Sequence, residues 1–147
     1  MVHELYQETI LDHSKRPRNC HAMADADRKA EGFNPLCGDK LKLYVKMDGD
    51  IVRDASFEGS GCAISTASAS LMTESLKGKS RQEALKLLDK FHELLTTDTP
   101  VSKDLGKLVV FCGVRDYPAR VKCATLAWHT LKSALTADVP EPVVTTE

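Results

Sequence analysis

The sequence predicts one mixed domain in which a β-hairpin is joined to a set of short helices. Three observations predict it. Apolar and polar residues alternate over 40–47, an Asp48-Gly49 step is followed by a second strand-like run to Glu58, and apolar residues recur at helical spacing on both sides. The 147 residues suffice for one domain with a sizeable core, and 42% hydrophobic and 28% charged residues are ordinary for a globular chain.

Taken in order, residues 3–13 carry Leu5, Thr9, Ile10 and His13 at helical spacing and predict a short amphipathic helix. Ser14-Lys15-Arg16-Pro17-Arg18-Asn19 is polar and broken by proline, so a loop is expected. Residues 20–36 have weak periodicity, with a short edge strand near 30–33. Leu41, Leu43, Val45 and Met47 then alternate with Lys40, Lys42, Tyr44 and Lys46, as in a half-buried strand. Asp48-Gly49 supplies the turn, because glycine accepts the positive φ of a tight hairpin. Residues 51–58 return, with Ala55 and Phe57 expected in the core.

Gly59-Ser60-Gly61 ends that strand. Residues 62–76 are rich in Ala, Ser and Thr and predict a closely packed helix, with Ile64, Leu71, Met72 and Leu76 on its buried stripe and Gly78 as its stop. Ser80-Arg81-Gln82-Glu83 is a capping box for a helix that buries Leu85, Leu88, Phe91 and Leu95. Residues 96–100 read as a linker. Residues 105–111 are apolar, and the preceding Ser102-Lys103-Asp104 favours helix over strand. Pro118 suits the first turn of a last helix to about residue 135, striped by Val121, Ala124, Trp128, Leu131 and Leu135. The domain is expected to span residues 1–137, and residues 138–147, with two prolines and no stripe, are expected to be disordered.

Twenty Lys and Arg against 21 Asp and Glu give no bias toward nucleic acid or an anionic membrane. No run reaches the roughly 18 apolar residues of a membrane span, and Met1-Val2-His3-Glu4-Leu5-Tyr6-Gln7-Glu8 lacks the basic start and apolar core of a signal peptide. A cytoplasmic protein is expected. Five cysteines in a reducing compartment favour metal or thiol chemistry over a disulfide framework.

Three of the cysteines stand in distinctive contexts. Cys37-Gly38-Asp39 lies just before the first strand of the hairpin, where a thiol and a carboxylate two residues apart can reach one ion. Cys62 opens a helix after a glycine-rich stretch, where the helix dipole and free N–H groups favour thiolate. Cys123 is on the last helix, with Arg120 one turn earlier to stabilise its thiolate or to pair with Asp39. A single cysteine is more often a small buried hydrophobe, and Cys123 is the most exposed of the three to that reading. Three thiolates and a carboxylate suit zinc, and equally an iron–sulfur cluster. Cys20 and Cys112 have no such context and are assigned no role. His3, His13 and His92 fall on helices as surface or satisfied core groups, His129 is off the face of Cys123, and a Cys20-His21 metal pair is the weaker option.

Asn34-Pro35-Leu36-Cys37-Gly38-Asp39, Phe57-Glu58-Gly59-Ser60-Gly61-Cys62-Ala63-Ile64-Ser65 and Pro118-Ala119-Arg120-Val121-Lys122-Cys123-Ala124-Thr125-Leu126-Ala127-Trp128 resemble the IscU/NifU-N family, and most closely its SufU branch. The resemblance runs from the first helix to about residue 135. It implies an α+β fold of the IscU-like kind, a small antiparallel sheet with helices packed against it and the ligands at one end. Cys37, Asp39, Cys62 and Cys123 match the family's metal ligands. A pyridoxal-phosphate cysteine desulfurase is the implied sulfur donor, and downstream cluster assembly proteins are the implied recipients. Scaffold-type members carry a histidine directly before the third cysteine, where this chain has Lys122, and the chain is longer between Cys62 and Cys123, as in SufU. The resemblance therefore implies a zinc-dependent sulfur acceptor and carrier, with a scaffold for a labile iron–sulfur cluster as the alternative. Within it Cys123 is the expected acceptor and Arg120 its stabiliser, while Cys37, Asp39 and Cys62 keep the metal. A closed structural zinc module is disfavoured by Asp39. A cysteine hydrolase is disfavoured because no histidine is placed as a base.

Overall fold

A computed structural model describes residues 2–35, 38–97, 103–136 and 143–145. Helix α1 (Val2–Lys15) leads into β1 (Arg28–Asn34), β2 (Asp39–Asp48) and β3 (Ile51–Ser60). Helices α2 (Ala63–Leu76) and α3 (Arg81–Thr96), a 3-10 stretch (Lys103–Asp116), helix α4 (Pro118–Thr136) and β4 (Val143–Thr145) follow. The three consecutive strands are antiparallel, and helices pack against them. This is the expected α+β arrangement. No helix among the described residues is long and apolar enough to cross a membrane.

The hairpin closes where the alternation ends, with Asp48 paired to Ile51 around Gly49 at φ 62°. A register shift after Lys46 interrupts the ladder, which breaks the alternation before Met47, and Tyr44, on the polar phase of the pattern, is buried with its hydroxyl bonded to Glu58. The strand expected near 30–33 is longer and is not an edge. Its inner side pairs with β2, and β4 runs parallel along its other side through Glu31–Val143 and Phe33–Thr145. Residues 143–145 lie within the stretch 138–147 that was expected to be disordered, and they pair with β1 as β4. A three-residue strand has too few positions to show alternation, and its partner lies far away in the chain.

Helix α3 starts on the predicted box. Ser80 accepts from the Glu83 N–H, and the Glu83 carboxylate accepts from the Ser80 N–H. Its buried side includes Leu88, Phe91 and Leu95, while Leu85 is only partly covered. The linker expected at 96–100 falls mostly outside the described residues. The apolar run 105–111 is helical but in 3-10 form, broken at Gly106, whose φ of 52° is non-helical. Leu105, Leu108, Phe111 and Val114 are all buried, a three-residue spacing that matches the three residues per turn of this helix.

Helix α4 is the central element. A single stripe was expected, yet every residue from Cys123 to Trp128 is buried, because α4 packs on α2, α3, the 3-10 stretch and the sheet. Trp128 stacks on Phe91 at 4.6 Å between ring centroids, and its indole N–H donates to the Ser68 hydroxyl at 3.1 Å. That hydroxyl donates in turn to the carbonyl of Ala124 at 2.5 Å, which ties α2 to α4 one residue from Cys123. On the sheet side, a Cβ on Gly32 would fall 2.2 Å from the Thr130 hydroxyl oxygen. Glycine at that position lets α4 lie directly on β1.

Candidate metal centre

Three elements deliver one side chain each to the same end of the sheet. Asp39 opens β2, directly across the ladder from Asn34 at the end of β1. The connection is closed by the Gly38 N–H, which donates to the Asn34 carbonyl at 2.9 Å, and Gly38 takes the φ of 72° that this turn demands. Cys62 is the N-cap of α2: its backbone is extended and its sulfur accepts from the Ser65 N–H at 3.4 Å. Cys123 comes from the first turns of α4.

The Asp39 carboxylate is buried and reaches the start of α2. One oxygen accepts the Cys62 backbone N–H at 2.9 Å, and the other lies 4.0 Å from the Cys62 sulfur. This approach depends on Gly61, where a Cβ would sit 2.6 Å from the same carboxylate oxygen. Ligand atoms of Asp39, Cys62 and Cys123 all lie within 4.8 Å of one another. Tetrahedral ligands with bonds near 2.3 Å stand about 3.8 Å apart, so a contraction of about 1 Å would seat an ion. Two sulfurs and one carboxylate oxygen form a donor set that fits zinc and leaves room for a further ligand. Cys37, expected as that ligand, lies outside the described residues.

The sulfurs differ in access. Cys62 is exposed, and Cys123 is only 3% exposed. Asn34, fully buried, donates from its amide nitrogen to the Cys123 sulfur at 3.7 Å, while its amide oxygen has no hydrogen-bond partner among the described residues. Asn34 enters the sequence analysis only within the motif that carries the family resemblance, because nothing local in the chain ties its side chain to Cys123. Arg120 is exposed and lies over the Tyr117 ring at 4.7 Å from its centroid, with no ion pair to Asp39 among the described contacts. A guanidinium held against that ring is turned to the surface, and the pairing considered with Asp39 is not formed.

The remaining candidates stay apart from this cluster. Cys20 is exposed beside β3, bridged to Phe57, and burial and the nearby Glu58 push its thiol up. Cys112 is partly buried against the core. His21 bonds the Ala22 carbonyl, and His92 and His129 face each other at 6.3 Å. His13 is a satisfied core group, with Nδ1 2.7 Å from the Ser70 hydroxyl.

Comparison with known proteins agrees with this architecture. The model of the NifU-like N terminal domain family matches residues 5–136. The chain is 45% identical to the zinc-dependent sulfurtransferase SufU of Bacillus subtilis, over 89% of each chain. It is 44% identical to the iron-sulfur cluster assembly scaffold protein IscU of Streptococcus pyogenes, over 91% of this chain and 84% of that one. A solved structure of a nitrogen-fixing NifU-like protein (N-terminal) from Brucella abortus superposes with a TM-score of 0.82 at 26% identity, covering 90% of this chain and 92% of the other.

Proposed function

This chain belongs to the family of NifU-like N terminal domains, and from that premise we propose that it serves iron–sulfur cluster assembly as a zinc-dependent sulfur acceptor and carrier. The donor is a pyridoxal-phosphate cysteine desulfurase of the SufS kind, and the recipients are downstream cluster assembly proteins. The observation that supports this most is the meeting of Asp39, Cys62 and Cys123, from three separate elements, with one sulfur open to solvent and one enclosed.

Asp39, Cys62 and Cys123 would hold zinc together with Cys37, and zinc so bound keeps its cysteine ligands in the thiolate form. The chain's own groups divide the remaining work. Asp39 ties the first strand of the hairpin to the α2 N-terminus, so the two parts of the site move as one. Cys123, buried beside Asn34, suits a held ligand better than the acceptor role expected from the resemblance, because an incoming persulfide cannot reach an enclosed sulfur. We therefore place sulfur acceptance on the open side, at Cys62 or Cys37. The acceptor thiolate attacks the terminal sulfur of the donor's persulfide; a sulfur–sulfur bond forms on the acceptor, the donor's bond breaks, and the donor cysteine departs as thiolate. Mass spectrometry after incubation with desulfurase and cysteine reads this as one added sulfur on Cys62 or Cys37. Added sulfur on Cys123 would restore the first expectation.

The scaffold reading stays as the second, favoured by the 44% identity to a protein named as a scaffold. Metal analysis and an absorption spectrum of anaerobically purified protein separate the two. A colourless protein with zinc supports the carrier, and a brown one with iron and acid-labile sulfide supports the scaffold.

A further inference from the structure

Asn34 occupies a place where an apolar residue would cost less. Ala30, Gly32 and Asn34 are the inward, buried positions of β1. Gly32 brings α4 against the strand, through Leu126 and Thr130. Two residues further along the same face, the Asn34 side chain meets α4 at Cys123, one turn before Leu126. A buried amide is costly unless both its ends are bonded. Here the nitrogen donates to the Cys123 sulfur at 3.7 Å, and the oxygen has no partner among the described residues. An amide turned with its N–H toward sulfur matches a thiolate, which only accepts. The backbone of the same residue closes the turn into Asp39, so Asn34 touches two arms of the site at once.

We propose that Asn34 is a positioning residue of the metal centre, orienting the Cys123 thiolate toward the ion by an N–H···S hydrogen bond that also draws some charge from the sulfur. This rests on the metal-site reading above and deepens it. Hydrogen-bond partners of metal ligands orient them and tune the metal, and their loss typically lowers metal affinity by about 10–100-fold.

The test uses cobalt(II) as the probe, added to the metal-free full chain of wild type, Asn34→Leu and Asn34→Ala. Leucine fills the space and removes the amide oxygen together with the donor; alanine cannot clash and covers the case where leucine does not fold. Expected for both variants are cobalt affinity lower by about 10–100-fold and a thiolate-to-cobalt charge-transfer band moved to lower energy, because the sulfur has become more electron-rich. Metal-free Asn34→Leu should melt no lower than wild type. Wild-type affinity and band in a folded variant would overturn the proposal. So would a lower melting temperature with an unmoved band, which marks a merely structural residue. Failure of wild type to bind cobalt would instead overturn the metal-site reading, and this inference with it.

Discussion

The Asp39 carboxylate accepts the backbone N–H of Cys62 at 2.9 Å and holds its second oxygen 4.0 Å from the Cys62 sulfur. One side chain thus does two jobs: it caps the junction between β3 and α2, and it offers a donor to the site. The two jobs can be separated by substitution.

Asp39→Asn keeps an oxygen for the Cys62 N–H but offers a poorer metal donor. Metal-free Asp39→Asn should therefore melt close to wild type, while its zinc affinity falls. Asp39→Ala should lose both, with metal-free stability lower by about 1–3 kcal/mol for the unpaired N–H. Thermal melts without metal and competition with a chromophoric chelator measure the two effects. Equal zinc affinity in Asp39→Asn would show that the carboxylate serves the fold alone.

Gly61→Ala places a methyl group against the carboxylate oxygen that Cys62 needs, since the added Cβ would stand 2.6 Å away. Zinc affinity should fall at least tenfold as Asp39 is pushed off. Gly78→Ala is the contrast, because Gly78 has a φ of 86° with nothing within 4 Å of an added Cβ. That change should cost about 1 kcal/mol of backbone strain and leave zinc affinity as it was. Reversal of this pattern would detach Gly61 from the site.

Stability should fall as the pH drops below about 6.5, the value at which an unfolded histidine takes up its proton. Burial, then Arg18, lowers the pKa of His13 against the opposing pull of Glu74 and Asp12, with Lys107 adding slightly to the lowering. His129 is lowered in the same direction by burial, His92 and Lys132. With the folded pKa depressed, the unfolded chain binds the proton first, so stability is full above the unfolded value and is lost as the pH falls toward the folded one. Melting temperatures of metal-free protein from pH 7.5 to 5.5 should decline, and His13→Gln should flatten that decline without abolishing it. An unchanged slope in His13→Gln would remove His13 from the effect.

Cys20→Ser and Cys112→Ser should each retain zinc content and desulfurase stimulation near wild type. Cys20 joins β3 through its backbone, which serine preserves, and Cys112 only flanks the core. Zinc lost from Cys20→Ser would draw Cys20 and His21 into the site.

What the sequence determined by itself is what short-range physics encodes. The hairpin follows from alternation and a glycine turn, the start of α3 from the reciprocal bonds of Ser80 and Glu83, and the start of α4 from Pro118, all within a few residues of chain. Asp39, Cys62 and Cys123 were legible as a set through the motifs around them. Only the tertiary structure decided how they meet. Burial of Cys123, the turning of Arg120 onto Tyr117, the pairing of β4 with β1 and the reach of Asn34 to a sulfur 89 positions away all depend on which surfaces α4 packs against. Side-chain periodicity reports that a face is apolar, but not whether the opposite face is covered too. The side chain of Asn34 has no partner near it in sequence, and its role appears only when α4 closes over it.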